Sequence, residues 1–129
     1  MTQRHQFYRC SVCGNITEVL HPGAESLVCC GQPMELLAEQ QVDALKEKHL
    51  PVIEKNEDSV KVKVGSIPHP MEEAHFIEWI AIVISDIQLR KFLNPGDEAV
   101  AEFSVKNLEG IIEARAYCNQ HGLWKNVAE

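Results

Sequence analysis

Ile111-Ile112-Glu113-Ala114-Arg115-Ala116-Tyr117-Cys118 alternates in the period of a β-strand. Ile112, Ala114, Ala116 and Cys118 fall on one side, and Glu113, Arg115 and Tyr117 on the other. Ser59-Val60-Lys61-Val62-Lys63-Val64 repeats the pattern and reads as a half-buried strand. Phe76 to Ile84 is β-branched and aromatic with Glu78 as its polar exception, as befits a strand near the centre of a sandwich. Asn94-Pro95-Gly96-Asp97 is a turn, and Ala99 to Val105 is a further strand with Ala101, Phe103 and Val105 on one face. Short strands separated by turn signals predict a mainly β chain. From Leu50 onward the expected architecture is an antiparallel β-sandwich of immunoglobulin-like type.

Immediately after that first strand the chain runs Asn119-Gln120-His121-Gly122. A thiol and an imidazole thus stand three residues apart, where a tight turn can aim both at one ion. Sulfur beside a borderline nitrogen suits iron, zinc or copper and does not suit calcium or magnesium. Three histidines upstream sit in loop-like surroundings. His49 precedes Leu50-Pro51, His69 lies between Pro68 and Pro70, and His75 opens the strand at Phe76. Loops from one end of a sandwich cluster in space, so the five residues can converge. A lone histidine is more often a satisfied or surface residue, which is the reading for His5 and His21. Cys118 by itself reads as a small buried hydrophobe. Together, four imidazoles and a thiolate exceed the four donors zinc prefers and point to a metal at ease with five or six. With the nitrogens in a plane and sulfur axial, one position stays open, the mark of a reactive rather than a structural site.

The N-terminal segment carries a second set of donors, Cys10-Ser11-Val12-Cys13-Gly14 and Cys29-Cys30-Gly31. A Cys-x2-Cys turn ending in Gly is half of a four-thiolate site. Cys29 and Cys30 point to opposite faces of an extended strand, so they share an ion only where the backbone turns between them; Gly31 makes that turn accessible. A distorted tetrahedral four-sulfur site is expected, and from the cysteines alone a structural zinc knuckle remains open. A segment of this size cannot hold itself by apolar burial, and a metal can replace the missing core. Glu35 to Asp43 reads as the connection to the second domain, with a short helix from Asp43 through Lys48 possible.

Composition narrows the classes. At 129 residues and 45% hydrophobic content the chain has material for one or two small domains. A formal net charge of −7 argues against a nucleic-acid binder. The start, Met1-Thr2-Gln3-Arg4-His5-Gln6, shows no apolar signal region, and the apolar run Trp79 to Ile84 is too short to span a bilayer. A soluble cytoplasmic protein is the expectation, with neither membrane nor nucleic acid as partner. Five cysteines in such a compartment favour metal ligation over disulfides.

These motifs, in this order, resemble the desulfoferrodoxin family, the two-iron superoxide reductases of anaerobic and microaerophilic prokaryotes. The resemblance is carried by Cys10-x2-Cys13 with Cys29-Cys30, and by Glu47-Lys48-His49-Leu50-Pro51-Val52-Ile53-Glu54-Lys55. His69-Pro70-Met71-Glu72-Glu73-Ala74-His75 and Tyr117-Cys118-Asn119-Gln120-His121-Gly122-Leu123-Trp124 complete it. It implies a small desulforedoxin-like domain over residues 1–37, whose Cys10, Cys13, Cys29 and Cys30 hold one iron. Residues 38–129 would be the catalytic β-sandwich. There His49, His69, His75 and His121 are equatorial and Cys118 axial on a second iron that reduces superoxide to hydrogen peroxide. The axial thiolate donates electron density to the metal, as thiolate does in haem proteins. The resemblance further implies that Glu47 ligates the oxidised iron and that Lys48 attracts superoxide and helps deliver protons. It also implies an external, rubredoxin-like electron donor and a homodimer. Lys46, Lys55, Lys61 and Lys63 read primarily as solvated lysines. The competing classes are a passive electron carrier and a zinc-stabilised interaction module.

Overall fold

The computed structural model describes residues 1–40, 46–106 and 109–128, and for Lys46 and Glu47 the backbone alone. The chain divides into two compact units, Met1–Ala38 and Glu39–Glu129.

In the first unit β1 (Phe7–Arg9) lies between β2 (Ile16–Glu18) and β5 (Glu35–Leu36), both antiparallel to it. β3 (Val28–Cys29) and β4 (Gln32–Pro33) form a separate hairpin. Its turn is Cys30-Gly31, with φ of 54° and 75°. Positive φ at both central residues is the type I′ pattern, whose twist matches that of the flanking strands. This is the backbone turn that lets two consecutive cysteines face one point. The first cysteine pair is set by its own knuckle: the Gly14 N–H donates to the Cys10 carbonyl at 2.9 Å, and Gly14 has φ +84°. Buried apolar side chains in this unit reduce to Phe7, Cys10 and Val19, while Val12, Leu20, Val28 and Leu36 are exposed. Apolar burial alone cannot order a unit so made.

The second unit is built the other way round. β6 (Pro51–Lys55), β7 (Ser59–Val64) and β10 (Val100–Ser104) form one antiparallel sheet in the order β10-β7-β6. β8 (Ile77–Ile84), β9 (Ile87–Phe92), β11 (Ile112–Cys118) and β12 (Gly122–Ala128) form another in the order β12-β11-β8-β9. Val60, Val62 and Val64 from one sheet meet Ile80, Ile82, Ile84, Ile112, Ala114 and Ala116 from the other. Each fully buried Val or Ile contributes about 1.5–3 kcal/mol, so this unit has a core of its own. Tyr117 is on the opposite face yet only 4% exposed. It stacks on Trp79 at 6.1 Å, and the Arg90 guanidinium lies 4.8 Å over the Trp79 ring.

The possible helix over Asp43 to Lys48 begins outside the described residues; its end is seen as α1 (Lys46–His49). β6, β9 and β12 were not expected from the sequence. What matters for function is where strands start and stop. Pro51 pairs with Val64, and Cys118 pairs with both Ile77 and Gly122. The start of β6, the end of β7, the start of β8, the end of β11 and the start of β12 therefore share one end of the sandwich.

Candidate metal centres

That shared end carries the predicted donors. His49 closes α1 and is 1% exposed. His69 lies in the loop after β7, its N–H donating to the Val64 carbonyl at 3.0 Å. His75 is held by paired backbone bonds with Glu72 just before β8. Cys118 ends β11 with no exposure, and His121 stands in the turn before β12.

The four imidazoles form a ring in the order His49, His69, His75, His121. Successive centroids are 4.5, 4.7, 5.0 and 4.7 Å apart, and successive planes are tilted by 65° to 83°. Across the ring His49 and His75 are 6.4 Å apart and within 28° of parallel. One donor atom from each of His49, His75, Cys118 and His121 lies within 4.8 Å of the others. His69 joins them through Nε2, 3.0 Å from His49 Nε2, and Cys118 Sγ is 3.8 Å from His121 Nδ1. Bonds of about 2.0–2.3 Å meeting at right angles put neighbouring donors about 3 Å apart, as His49 and His69 are.

The donor chemistry also fits a cation. His69 Nδ1 is 2.7 Å from the Pro70 carbonyl, which can only accept. The proton therefore sits on Nδ1, and Nε2 presents a bare lone pair to the ring centre. Burial lowers the His69 pKa to about 4, so its imidazole stays neutral at any ordinary pH. His75 is lowered as well, by burial first and then by the charges of His121 and Lys48. Its Nε2 is buried without a hydrogen-bond partner, a cost of about 1–3 kcal/mol unless an ion takes the lone pair. Burial pushes the Cys118 thiol up, whereas the N–H groups of Gln120 and His121, aimed at the sulfur, favour the thiolate. A sulfur served by two such donors is prepared to carry negative charge.

In the first unit Cys10, Cys13, Cys29 and Cys30 gather their sulfurs within 4.8 Å. Cys13 and Cys29 are 3.6 Å apart, and Cys29 and Cys30 4.0 Å. Tetrahedral bonds of about 2.3 Å place sulfurs about 3.8 Å apart. The Cys13 N–H, 3.5 Å from Cys10 Sγ, is the main cause that draws the Cys10 thiol down to about 6. Hydrogen bonding with Cys13 and Cys10 pushes Cys29 up, and Cys30 up to about 12. Four adjacent sulfurs cannot all ionise by themselves; a cation removes that conflict.

Similarity to known proteins agrees with this pair of donor sets. Residues 41–127 match the family model described as desulfoferrodoxin, and residues 2–37 match that of the desulfoferrodoxin N-terminal domain. The chain belongs to the desulfoferrodoxin family. Its four-cysteine cluster and its group of four histidines and one cysteine match the two-iron arrangement of desulfoferrodoxins. A desulfoferrodoxin homolog of Methanothermobacter thermautotrophicus is 54% identical over 124 residues, covering 96% of this chain and 99% of that one. The desulfoferrodoxin of Nitratidesulfovibrio vulgaris is 53% identical over 128 residues, covering 99% and 100%. The crystal structure of the superoxide reductase from Treponema pallidum superposes with a TM-score of 0.79 at 28% identity, covering 98% of this chain and 99% of that one.

Around this desulfoferrodoxin centre the remaining candidates divide. Lys48 is exposed, and its charge is felt at His75. The Glu47 side chain lies outside the described residues, as does that of Lys46. Lys63 is paired with Glu54 at 3.2 Å, and Lys61 stands in register between Glu54 and Glu102, so neither is a free cation patch. His5 faces Glu18 at 4.0 Å in the first unit, and His21 is an exposed residue of that unit. Two further residues, neither assigned a role from the sequence, meet the ring. Trp124, fully buried, stacks on His49 at 5.0 Å and 21°. Gln40 reaches the His121 carbonyl at 2.6 Å.

Proposed function

We propose that this chain is a superoxide reductase that converts superoxide to hydrogen peroxide. In this reading His49, His69, His75, His121 and Cys118 hold the catalytic iron, and Cys10, Cys13, Cys29 and Cys30 hold a second one. The observation that carries the proposal is the closed ring of four imidazoles with one buried sulfur. When bound, ferrous iron supplies the single electron that, with two protons, takes superoxide to hydrogen peroxide.

The protein's own residues decide access and charge. Cys118 belongs to the apolar core, so the sulfur side is closed. His49 and His69 are buried, whereas His75 and His121 keep partial exposure, and a small anion approaches past their edges. Lys48 stands at that approach. A local positive group steers an anion even toward a protein of net charge −7. Its ammonium also offers protons at the mouth, through water. Glu47, its neighbour in sequence, is proposed as a further carboxylate that would hold the oxidised metal.

The reaction consumes one electron per turnover, and a rubredoxin-like protein is proposed as the donor. A homodimer is proposed too; the exposed Val12, Leu20, Val28 and Leu36 of the first unit supply apolar surface for it. A cytoplasmic location belongs to the same reading. Among the described residues no helix is long and apolar enough to cross a membrane.

The test is anaerobic metal analysis joined to a superoxide assay with a defined reductant. Two irons per chain and one peroxide per superoxide, with no oxygen released, are expected. Oxygen evolution would mean dismutation, and no consumption at full iron loading would mean a passive carrier. In the same assay Lys48→Ala is expected to lower the association rate roughly 10-fold at low salt and to flatten its dependence on ionic strength. A salt series indistinguishable from wild type would remove Lys48 from the steering role.

A further inference from the structure

The segment that leads into the second unit reads from the sequence as a plain connection, yet its first residues are fastened to the β11–β12 hairpin. The Glu39 carboxylate meets Arg115 at 3.5 Å and Lys125 at 3.2 Å, and Glu113 meets the same two cations. The Gln40 N–H donates to the Leu123 carbonyl and the Lys125 N–H to the Gln40 carbonyl, each at 2.9 Å, forming a parallel bridge beside Trp124. Two backbone bonds thus fix where the Gln40 side chain starts. Its Nε2 donates to the His121 carbonyl at 2.6 Å and also lies 3.4 Å from the Leu123 carbonyl. Trp124 Nε1 donates to the same His121 carbonyl at 3.3 Å.

This carbonyl belongs to a residue outside the strand ladders. The peptide that follows it leads into Gly122, at φ +87°, where glycine alone turns freely. A Cβ on Gly122 would stand 3.0 Å from Gln40 Nε2, close enough that the Gln40 amide would have to shift by a few tenths of an ångström. Left alone, such a peptide plane can rotate and swing the His121 imidazole with it. Gln40 and Trp124 instead occupy both lone pairs of the oxygen.

We propose that Gln40 is a positioning residue of the histidine centre: it pins the His121 carbonyl and so keeps the His121 imidazole in register with Cys118 and the other three rings. This rests on the reading of His121 as a metal ligand. Partners that orient ligands in this way typically matter about 10–100-fold in metal affinity.

The test uses the full chain loaded with iron. Gln40→Met keeps the length of the side chain without the donor, and Gln40→Glu replaces the donor by an acceptor. Release of the histidine-bound iron to a chelator is expected to be roughly 10-fold faster in Gln40→Met and faster still in Gln40→Glu. The visible absorption of the oxidised histidine centre should shift in both. Absorption and iron retention of the four-cysteine centre serve as the internal reference and should not change. Glu39→Gln weakens the neighbouring ion pairs while keeping the Gln40 contact; its release rate should stay within about twofold of wild type. Equal effects in Glu39→Gln and Gln40→Met would reduce the result to general loosening and overturn the assignment. Wild-type release and spectrum in Gln40→Met, with wild type fully loaded, would overturn it alone. A wild-type chain that takes up no iron at the histidines would instead remove the reading beneath it.

Discussion

Cys118→Ser is expected to slow superoxide consumption by more than roughly 100-fold, beyond what losing an outer partner of a metal ligand costs. The reason lies in what the site offers in place of charge. Cys118 has no exposure and sits in the apolar core, and burial raises its thiol. The N–H groups of Gln120 and His121 offset that penalty for a thiolate. A serine hydroxyl in the same place has no accessible anion, and the same two donors then face a neutral oxygen. The substitution is nearly isosteric, so the sandwich should stay folded, and the four-cysteine centre should keep its iron and its spectrum. The measurement is the superoxide rate at matched iron content. A rate within a few-fold of wild type would return Cys118 to the role of core filler.

The second large effect concerns the other metal set. Cys13→Ser should unfold the first unit while the second keeps its own cooperative transition. Cys13 is exposed, so exchanging it for serine costs no packing, and whatever is lost is lost through the ligand. What remains to hold Met1–Ala38 is Phe7, Cys10 and Val19, against apolar side chains that already face water. Structural metal sites in domains of this size contribute on the order of 10 kcal/mol, which small cores do not match. Amide exchange resolved by segment is the suitable readout: protection over β1, β2 and β5 should vanish while that of β7, β8 and β11 persists. Protection unchanged in the first unit would show that it folds without its fourth sulfur.

The legible part of this molecule was its periodicity and its spacing. Val60, Val62 and Val64 announced a strand because nothing interrupts the alternation, and Ile112 to Cys118 did so for the same reason. His49 and His69 were legible because prolines at positions 51, 68 and 70 excluded them from regular strands. β9 stayed hidden: it carries exposed Ile87 and Phe92 on a sheet edge, so its polarity does not alternate cleanly. β12 stayed hidden because it opens on Gly122 and turns Asn126 inward, where its Nδ2 donates to the Pro51 carbonyl at 2.8 Å. Gln40 was illegible for a deeper reason. Its contact depends on a parallel register with a residue more than 80 positions away, and no local pattern encodes such a register. The order of the imidazoles around the ring is likewise a product of topology.

All five donors of the larger centre occupy one rim of the β-sandwich, and the antiparallel course of the strands leaves the opposite rim without any. The Asn56–Asp58 and Ser85–Asp86 turns lie on that distant rim, as does the Ile112–Ala128 pair at the open end of the β11–β12 hairpin. Tags, spectroscopic labels or surface tethers grafted at those turns sit a full strand length from the five donors of the sandwich. The sandwich thereby supplies a handle, remote from its histidine rim, for immobilising the protein on an electrode.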